Sequence, residues 1–437
     1  MRGLFLCSTA ETARGILERR SVPDRRNFLS FNGPIRVTAD DIRRAAEKIS
    51  SAVAKTPLKE SHHFSKRFGG RVFLKLENLQ HTGSFKVRGA LNKLLSLKPE
   101  ECQGGVIAAS AGNHAQGVAY QATRLGIKSS IVMPKSSPIV KMNATRDYGA
   151  EVILYGESYD EAFAHALEIQ QKKGLVFVHP FEDPAIIAGQ GSIGLELLEQ
   201  YGELEQVIVP VGGGGLIAGI ATALKAVKPS LRVIGVQAEG APGMARAFKT
   251  GKVELVPVNT IADGIGVKQP SRRMLELLKG VVDEMVTVSE EAIANAILLL
   301  MERAKLVVEG SGAVGLAALL SEKVTTKGLS SALVISGGNI DFNKISLIIE
   351  RGLMAEGRLI RFSFLLDDRP GALHHLTAVL AEEGANILEV NHNRLSPLVS
   401  MGKARVTLLL ETKGKEHVIF LKRVLEEKGF QPTPQEI

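Results

Sequence analysis

The chain has 437 residues, which is enough for two or three domains with buried cores. A hydrophobic share of 45%, a charged share of 23% and 44 glycines are typical of globular α/β proteins. Half of the net charge of +8 comes from the first 36 residues, which carry seven arginines and three acidic residues. Aromatic residues make up only 5% and tryptophan is absent, which argues against a basic, aromatic surface that binds nucleic acid.

Cys7 and Cys102 are the only cysteines, and they do not form a CxxC pattern. A disulfide scaffold and a zinc site are therefore not expected, whereas a reducing, cytoplasmic compartment is. No apolar stretch approaches the roughly 18 residues of a membrane-spanning helix. We therefore expect neither membrane association nor a bound metal.

The beginning of the chain lacks the apolar periodicity of a helix or strand. We interpret residues 1–35 as a disordered extension. Thr38-Ala39-Asp40-Asp41 is typical of a helix cap followed by a first turn, so that ordered structure is expected from this point.

Residues 36–355 alternate between short apolar segments and helical ones. The predicted strands are 106–109, 130–133, 152–155, 207–211, 233–238 and 332–336. Predicted helices between them include 138–148, 159–173 and 290–305. Near-continuous apolar strands between helices predict a mostly parallel sheet that is covered on both faces.

Residues 356–437 follow a different pattern. The predicted strands are 359–366, 386–394 and 404–410, and the predicted helices are 372–383 and 416–428. This βαββα order predicts a separate, small α+β domain.

A single lysine lies where a predicted loop becomes a helix, in Thr82-Gly83-Ser84-Phe85-Lys86. Burial at such a position lowers the pKa of an amine, which makes it a candidate Schiff-base nucleophile. The alternative is that Lys86 is one of many solvated surface lysines.

A second loop of interest spans residues 110–117, between a predicted strand and a helix. Backbone N–H groups at the start of a helix form an anion pocket that suits a carboxylate. Asn113 adds a side chain that can bond a hydroxyl or oxyanion. A plain capped helix start explains the loop equally well.

Four consecutive glycines, Gly212-Gly213-Gly214-Gly215, follow a strand and precede a helix. They allow the backbone to approach a phosphate closely. With Ala218 they also match the dinucleotide-binding fingerprint, and Glu239 ends the next strand. A nicotinamide-dependent oxidoreductase is therefore an alternative at this point.

Ser336 ends the last apolar strand, where the ligands of α/β sheets bind. Taken alone, this segment is explained better as a tight turn before a helix. One ligand suits all these groups, because pyridoxal phosphate carries an aldehyde for Lys86, a phosphate for the glycines, a hydroxyl for Asn113 and a ring nitrogen for Ser336. A nicotinamide cofactor leaves Lys86 and Ser336 without a role.

Eight segments, taken in order, resemble the threonine dehydratases (threonine ammonia-lyases), which carry a C-terminal ACT domain. The segments begin with Thr56-Pro57-Leu58, residues 75–80, Ser84-Phe85-Lys86-Val87-Arg88-Gly89 and residues 110–117, and they continue with residues 212–216, 260–264, 309–313 and 336–339. The ACT resemblance rests on Asp368-Arg369-Pro370-Gly371 and Gly384-Ala385-Asn386-Ile387.

The resemblance implies an α/β catalytic domain over residues 36–355, of the fold type II found in pyridoxal-phosphate enzymes. Such a domain has two subdomains with open, twisted, mostly parallel sheets, and its small subdomain would cover roughly residues 82–182. The resemblance further implies a ferredoxin-like ACT regulatory domain over residues 356–437.

The resemblance also implies roles for individual residues. Lys86 would be the Schiff-base lysine that removes the substrate's Cα proton, and Ser336 would face the ring nitrogen as the second catalytic residue. The implied cofactor-binding residues are Phe85, Lys86, Asn113, Gly212, Gly213, Gly214, Gly215, Leu216 and Ser336. The implied substrate-binding residues are Ser110, Ala111, Gly112, Asn113 and His114.

The implied reaction is the dehydration and deamination of L-threonine to 2-oxobutanoate and ammonia, with L-serine as a secondary substrate that gives pyruvate. A serine racemase/dehydratase and a 3-hydroxyaspartate dehydratase are the alternatives. Related racemases carry a second serine where this chain has Ala111, so that we expect elimination without efficient racemisation. In the metal site of those racemases, Glu239 matches the first carboxylate, but Ala245 stands where a second carboxylate is expected.

The C-terminal domain has two possible roles. Asp368 and Asn386 match positions where ACT domains bind amino-acid effectors, which predicts allosteric control, as in isoleucine biosynthesis; the alternative is that the domain only dimerises. We expect a homodimer or homotetramer. A catalytically dead amino-acid sensor is a further alternative, against which the intact Lys86, glycine loop and Ser336 argue.

Overall fold

The computed structural model describes residues 33–395 and 399–434. Nearly all of the predicted disordered extension, residues 1–35, lies outside this range. Two compact units form: the first contains Leu97–His179, and the second contains Ile35–Ser96 and the described residues from Pro180 onward. None of the described helices is long and apolar enough to cross a membrane.

The secondary structure alternates along most of the chain. The described strands are β1 (Leu58–Glu60), β2 (Arg71–Leu76), β3 (Val106–Ala109), β4 (Ser129–Met133), β5 (Glu151–Leu154), β6 (Val176–Phe177), β7 (Gln206–Pro210), β8 (Arg232–Ala238), β9 (Glu284–Val288), β10 (Ser330–Ile335), β11 (Leu359–Asp367), β12 (Asn386–Asn393), β13 (Lys403–Glu411) and β14 (Thr433–Pro434). The described α-helices are α1 (Ala39–Ile49), α2 (His62–Phe68), α3 (Lys86–Leu95), α4 (Pro99–Gly104), α5 (Asn113–Arg124), α6 (Ile139–Asp147), α7 (Tyr159–Lys173), α8 (Pro184–Gln200), α9 (Gly215–Val227), α10 (Gly243–Thr250), α11 (Arg272–Lys279), α12 (Glu290–Leu299), α13 (Gly310–Leu320), α14 (Phe342–Ala355), α15 (Ala372–Glu382) and α16 (Lys415–Glu427).

The sheet of the first unit is fully parallel, in the order β5-β4-β3-β6. The main sheet of the second unit has the order β1-β2-β10-β7-β8-β9 and is parallel except for β1. Two hydrophobic clusters cover the opposite faces of this main sheet, because alternate residues such as Val207 and Ile208 point to opposite sides. The expectation of mostly parallel, two-sided sheets is therefore confirmed.

The C-terminal module consists of β11 to β14 with α15 and α16. Its sheet is antiparallel in the order β12-β13-β11-β14, and its helices pack on one hydrophobic core. Strand β14, which was not predicted, is only two residues long and pairs with Phe362 and Ser363. With this strand the order becomes βαββαβ, which is the ferredoxin-like arrangement.

The local helix signals explain two boundaries. Thr38 caps α1 through a reciprocal capping box with Asp41, as the sequence predicts. The predicted helix 290–305 is regular only to Leu299 and continues as a π-helical turn, Leu300–Ala304. Lys305 then ends the turn with a left-handed backbone, φ 59°. Because this conformation is unusual for lysine, the sequence did not predict that the helix ends here.

Helices α8 and α9 cross closely because both carry glycines at the contact. A Cβ atom at Gly219 would lie 2.3 Å from Ile187 O and 2.6 Å from Gly191 N. We therefore expect Gly219→Ala to destabilise the second unit by about 1–3 kcal/mol, the usual cost of overpacking a core. A lower midpoint of thermal unfolding, followed by circular dichroism, would show this loss.

Gly315→Ala is the matched control, since this glycine is also buried in a helix. Its Cβ would lie 3.5 Å from the nearest atom, which is an ordinary contact. The midpoint of this variant should not fall. Equal losses in both variants would contradict the assigned packing of α8 on α9.

Candidate active site

The loop before α3 is hydrogen bonded to the loop after β10. Phe85 N–H donates to Ser336 O at 3.1 Å, and Gly338 N–H donates to Gly83 O at 2.9 Å. The parallel pairing of β2 with β10 brings the carboxyl ends of these strands to one edge of the sheet. Lys86 and Ser336 therefore belong to neighbouring loops although 250 residues separate them in sequence.

Lys86 is the first residue of α3 and is half-buried. Its Nζ donates to Pro180 O at 2.9 Å. Burial of the ammonium group lowers the pKa of Lys86 to about 8, although the Glu309 carboxylate acts in the opposite direction. At pH 7 about one amine in ten is then neutral, whereas an ordinary lysine has almost none. This fraction is what a nucleophilic lysine requires.

Glu309 is a site residue to which the sequence analysis gave no role. Its N–H donates to Gly337 O at 3.1 Å, and its carboxylate accepts a hydrogen bond of 2.9 Å from Ser311 Oγ. A Cβ at Gly337 would lie 2.4 Å from Glu309 Oε1, so that any other residue there would displace the carboxylate. The sequence feature that could have indicated Glu309 is a single acidic residue at the start of a run of small residues, 309–313.

Two buried hydroxyl groups lie in these loops. Ser336 is 2% exposed and directly follows β10. Ser84 is fully buried, and its Oγ has no hydrogen-bond partner among the described residues. Because a buried polar group without a partner is unfavourable, such a hydroxyl is typical of a site that is completed by a ligand.

The four glycines form a tight turn at the start of α9. Gly214 caps the helix with a left-handed backbone, φ 95°. A Cβ at Gly213 would lie 2.4 Å from the Phe181 ring, and one at Gly212 would lie 3.0 Å from Ile265 Cα. The turn therefore requires glycine for packing as well as for access by a ligand. Its N–H groups form the positive end of a helix, which suits a phosphate.

The predicted substrate loop belongs to the first unit. Helix α5 begins at Asn113 and is capped by Gly112, whose N–H donates to Ser110 Oγ at 3.2 Å. His114 is buried, and its Nε2 lies 2.9 Å from Val178 O. Ala111 is half-buried beside them. The loop thus has the helix-start geometry on which the carboxylate prediction depends, while its role in binding substrate stays a prediction.

The two predicted effector residues lie at opposite ends of the C-terminal sheet. Asn386 pairs with Glu411, which also pairs with Leu359 at the start of β11. Asp368 follows the other end of β11 and forms an ion pair of 3.1 Å with Arg394. The length of β11 separates the two ends by roughly 26 Å. One small ligand cannot contact both residues of the same chain.

The groups of the second unit fit pyridoxal phosphate. They comprise a buried amine of lowered pKa at Lys86, a glycine turn at the start of α9 and the buried hydroxyl of Ser336. No group of three or more His, Cys, Asp or Glu side chains that could hold a metal occurs among the residues that the structure describes.

Comparison with known proteins decides between the candidate cofactors. Residues 49–337 match the family described as pyridoxal-phosphate dependent enzymes. The chain belongs to this family. Pyridoxal phosphate is therefore its cofactor, as predicted, and the nicotinamide-dependent alternative is wrong.

The similar proteins extend this assignment. The chain is 51% identical over 396 residues to an L-threonine ammonia-lyase of Thermotoga maritima, covering 90% of this chain and 98% of that protein. Among solved structures, the processed form of threonine deaminase isoform 2 from Solanum lycopersicum has 38% identity and a TM-score of 0.67, covering 73% of this chain and 95% of that one. A maize serine racemase has 35% identity and a TM-score of 0.69, covering 73% and 98%.

The packing of Phe181 on the glycine turn predicts the effect of Gly213→Ala. The added methyl group would overlap the Phe181 ring and displace the turn that suits the phosphate. We expect at least a ten-fold loss of affinity for pyridoxal phosphate, roughly 1.4 kcal/mol, measured by absorbance titration of the apoenzyme. Gly202→Ala, whose Cβ would lie 3.5 Å from Leu198 O, is the control. Unchanged affinity in Gly213→Ala would contradict the assigned turn.

The lowered pKa of Lys86 predicts how cofactor uptake depends on pH. Only the neutral amine attacks the aldehyde, so that the rate should rise with pH and level off above about 8. Removing the charge that raises this pKa, in Glu309→Gln, should move the inflection to lower pH. Stopped-flow absorbance of apoenzyme mixed with cofactor measures both.

The exposed Glu199 on α8 offers a matched control, because Glu199→Gln removes the same charge. This variant should keep the inflection of the unchanged protein. An inflection near the ordinary lysine pKa of about 10.4 would show that Lys86 is not buried as described.

Proposed function

We infer that this protein is an L-threonine ammonia-lyase, which converts L-threonine to 2-oxobutanoate and ammonia. The observation that carries this inference is the 51% identity over 396 residues to a protein with that activity. An alignment of this length cannot fit within residues 1–355, so it extends into the C-terminal module. L-Serine, which lacks the substrate's methyl group, is proposed as a slower substrate that yields pyruvate.

The cofactor and the chain would divide the chemistry. Bound pyridoxal phosphate supplies the aldehyde that takes the amino group and the conjugated ring that withdraws electrons from Cα. Lys86 would hold the cofactor and then, once displaced by the substrate amine, remove the proton from Cα. A pKa near 8 suits this second task, because the neutral amine is available near physiological pH.

Ser336 would set the direction of the reaction. Its hydroxyl can bond the ring nitrogen but, unlike a carboxylate, does not force that nitrogen to carry a proton. Ser336 would thereby favour loss of the β-hydroxyl over transamination, because a ring nitrogen without a proton would withdraw less charge from Cα. The short link between Ser336 O and Phe85 N–H supports this role, because it keeps the serine beside the residue that precedes Lys86.

The substrate loop of the first unit supports binding of a carboxylate. Ser110, Gly112, Asn113 and His114 surround the start of α5, where the backbone N–H groups and the helix dipole favour an anion. We propose that these groups bind the substrate carboxylate, with Asn113 also available to the cofactor hydroxyl.

Serine racemisation is the second candidate activity, because the maize serine racemase has a similar structure. Racemisation needs a proton donor on the opposite face of Cα from the lysine. Ala111 has no proton to give, and this argues for elimination alone. A 3-hydroxyaspartate dehydratase is the other alternative, and it is distinguished by which hydroxy amino acid is turned over faster.

Regulation by an amino acid is proposed for the C-terminal module. Since Asp368 and Asn386 lie at opposite ends of one sheet, a shared effector site would need Asp368 from one copy and Asn386 from a second copy. The proposal therefore includes a homo-oligomer, and the effector would be a branched-chain end product such as isoleucine. Two cysteines without a disulfide pattern support a cytoplasmic location.

The activity itself is tested by product release from a panel of hydroxy amino acids. We expect 2-oxobutanoate and ammonia from L-threonine, less pyruvate from L-serine, and a loss of at least a thousand-fold in Lys86→Ala, since both a nucleophile and a base are removed. Lys55→Ala, an exposed lysine, is the control. Faster turnover of 3-hydroxyaspartate than of L-threonine would overturn the assigned substrate.

Ala111 offers a separate test of the racemase alternative. The unchanged protein should produce no D-serine while it releases pyruvate from L-serine. Ala111→Ser adds a hydroxyl on the face where racemases need one, and a detectable rate of D-serine formation is expected. Chiral chromatography of the reaction measures both. Interconversion of L- and D-serine by the unchanged protein faster than deamination would refute the assignment.

A further inference from the structure

Four charged side chains are buried together beside the first turn of α3. They are Lys75, Glu77 and Arg88, all fully buried, and Glu196, whose side chain is 14% exposed. Lys75 lies on β2, Glu77 directly follows that strand, Arg88 is two residues beyond Lys86, and Glu196 is on α8. We call these four residues the buried charge cluster.

Arg88 is the centre of the buried charge cluster. Its guanidinium group binds Glu77 through two hydrogen bonds of 2.8 Å. On its other side it donates to Glu196 at 2.6 Å and 3.1 Å and to Ser192 Oγ at 3.1 Å. A further partner is Ala54 O at 3.1 Å. The planar, fork-shaped group therefore fixes its surroundings in both distance and direction.

Lys75 completes the buried charge cluster from β2. Its Nζ donates to Glu196 Oε2 at 2.5 Å, to Thr56 O at 2.7 Å and to Gln200 Oε1 at 3.0 Å. The cluster thus holds two cationic and two anionic side chains, whose charges balance. Burial would raise the pKa of Glu77, but the charge and hydrogen bonds of Arg88 outweigh burial and lower it, so that this carboxyl is ionised.

Stability alone does not account for such an arrangement. Taking charges out of water costs several kcal/mol per ion, and well-packed apolar residues in their place are often as stable or more so. What a fixed ionic cluster provides is a defined geometry. Here it ties together β2, α3 and α8, and β2 pairs along its length with β10, the strand that precedes Ser336.

The start of α3 is also packed directly on α8. A Cβ at Gly89 would lie 2.4 Å from Gln190 Nε2 and 2.7 Å from Ile186 O, and Gly89 N–H donates to Gln190 Oε1 at 3.1 Å. The helix can therefore rotate or slide little about Gly89. Arg88 and Gly89 therefore both help to fix the turn from which Lys86 projects.

We propose that Arg88, held by Glu77 and Glu196, is a positioning residue that sets the direction of the Lys86 side chain relative to Ser336. The inference rests on the role of Lys86 given under Proposed function, and it concerns the geometry of the lysine rather than the identity of the substrate. Loss of the guanidinium group lets the first turn of α3 shift, and misplacement of a reacting group by about 1 Å costs up to a hundred-fold in rate.

The test compares three variants of the full-length holoenzyme. Glu77→Gln/Arg88→Gln removes one buried charge of each sign, so that no unpaired charge is created. Arg88→Lys keeps the positive charge but loses the fork. Lys55→Gln/Glu199→Gln, an ion pair exposed on the surface at α8, removes the same two charges and serves as the matched control.

Three readouts separate positioning from stability. They are the visible-region circular dichroism of bound pyridoxal phosphate per unit absorbance, kcat and KM for L-threonine, and the midpoint of thermal unfolding. For Glu77→Gln/Arg88→Gln we expect kcat to fall about ten- to a hundred-fold, KM to stay within about three-fold, and the visible dichroism to change by half or more. Arg88→Lys should change in the same direction, and the control should match the unchanged protein.

Wild-type kcat and visible dichroism in the double variant, with only a lower unfolding midpoint, would overturn the proposal. If the double variant does not fold, Arg88→Lys decides the matter, and unchanged kcat and dichroism in that variant would overturn it equally. Absence of a visible cofactor band in the unchanged protein would instead refute the role of Lys86. If the unchanged protein acts only on substrates other than L-threonine, the assigned substrate is wrong, and the same variants are then compared on the substrate that it uses.

Discussion

The parallel pairing of β2 with β10 is the constraint on which the rest of the site depends. Strand pairing over six residues, from Arg71 to Leu76 and from Ser330 to Ile335, brings two loops to one edge of the sheet. Hydrogen bonds between the loops then hold Ser336 against the residue before Lys86. Because the strands are buried on both faces, a slip in register by one residue would place every side chain in the core on the wrong face and disrupt the packing of both, so the pairing, and with it the spacing of the site, is strongly fixed.

The two cationic side chains in the first turn of α3 lie in opposite environments. Arg88 is fully buried but is hydrogen bonded to two carboxylates, and its pKa is raised above the usual value. Lys86, two residues earlier, donates to one carbonyl oxygen, and burial lowers its pKa although the Glu309 carboxylate acts in the opposite direction. One helix turn thus contains both a rigid anchor and a reactive amine. This contrast supports the proposed role of Lys86 as the nucleophile, since the charge of Arg88 is fully compensated and that of Lys86 is not.

The sequence sufficed to predict whatever depends on local pattern. Apolar strands, the Thr38 cap, the glycine turn and a lysine at a loop-to-helix boundary all carry their signal within a few residues. Glu309, the packing of Phe181 on Gly213, and the link between Arg88 and Glu196 could not be predicted, because they join segments that are far apart in sequence and meet only through the sheet. The separation of Asp368 from Asn386 was missed for the same reason, since it follows from strand register. Strand β14 was too short to show a period.

Direct identification of the lysine that carries the cofactor tests the central claim. Borohydride reduction of the holoenzyme fixes pyridoxal phosphate on the side chain to which it is bound, and peptide mapping by mass spectrometry then locates it. The result expected from the buried amine at the start of α3 is modification of Lys86 and of no other lysine. A modified Lys75, a modified surface lysine or an unmodified chain would contradict the account.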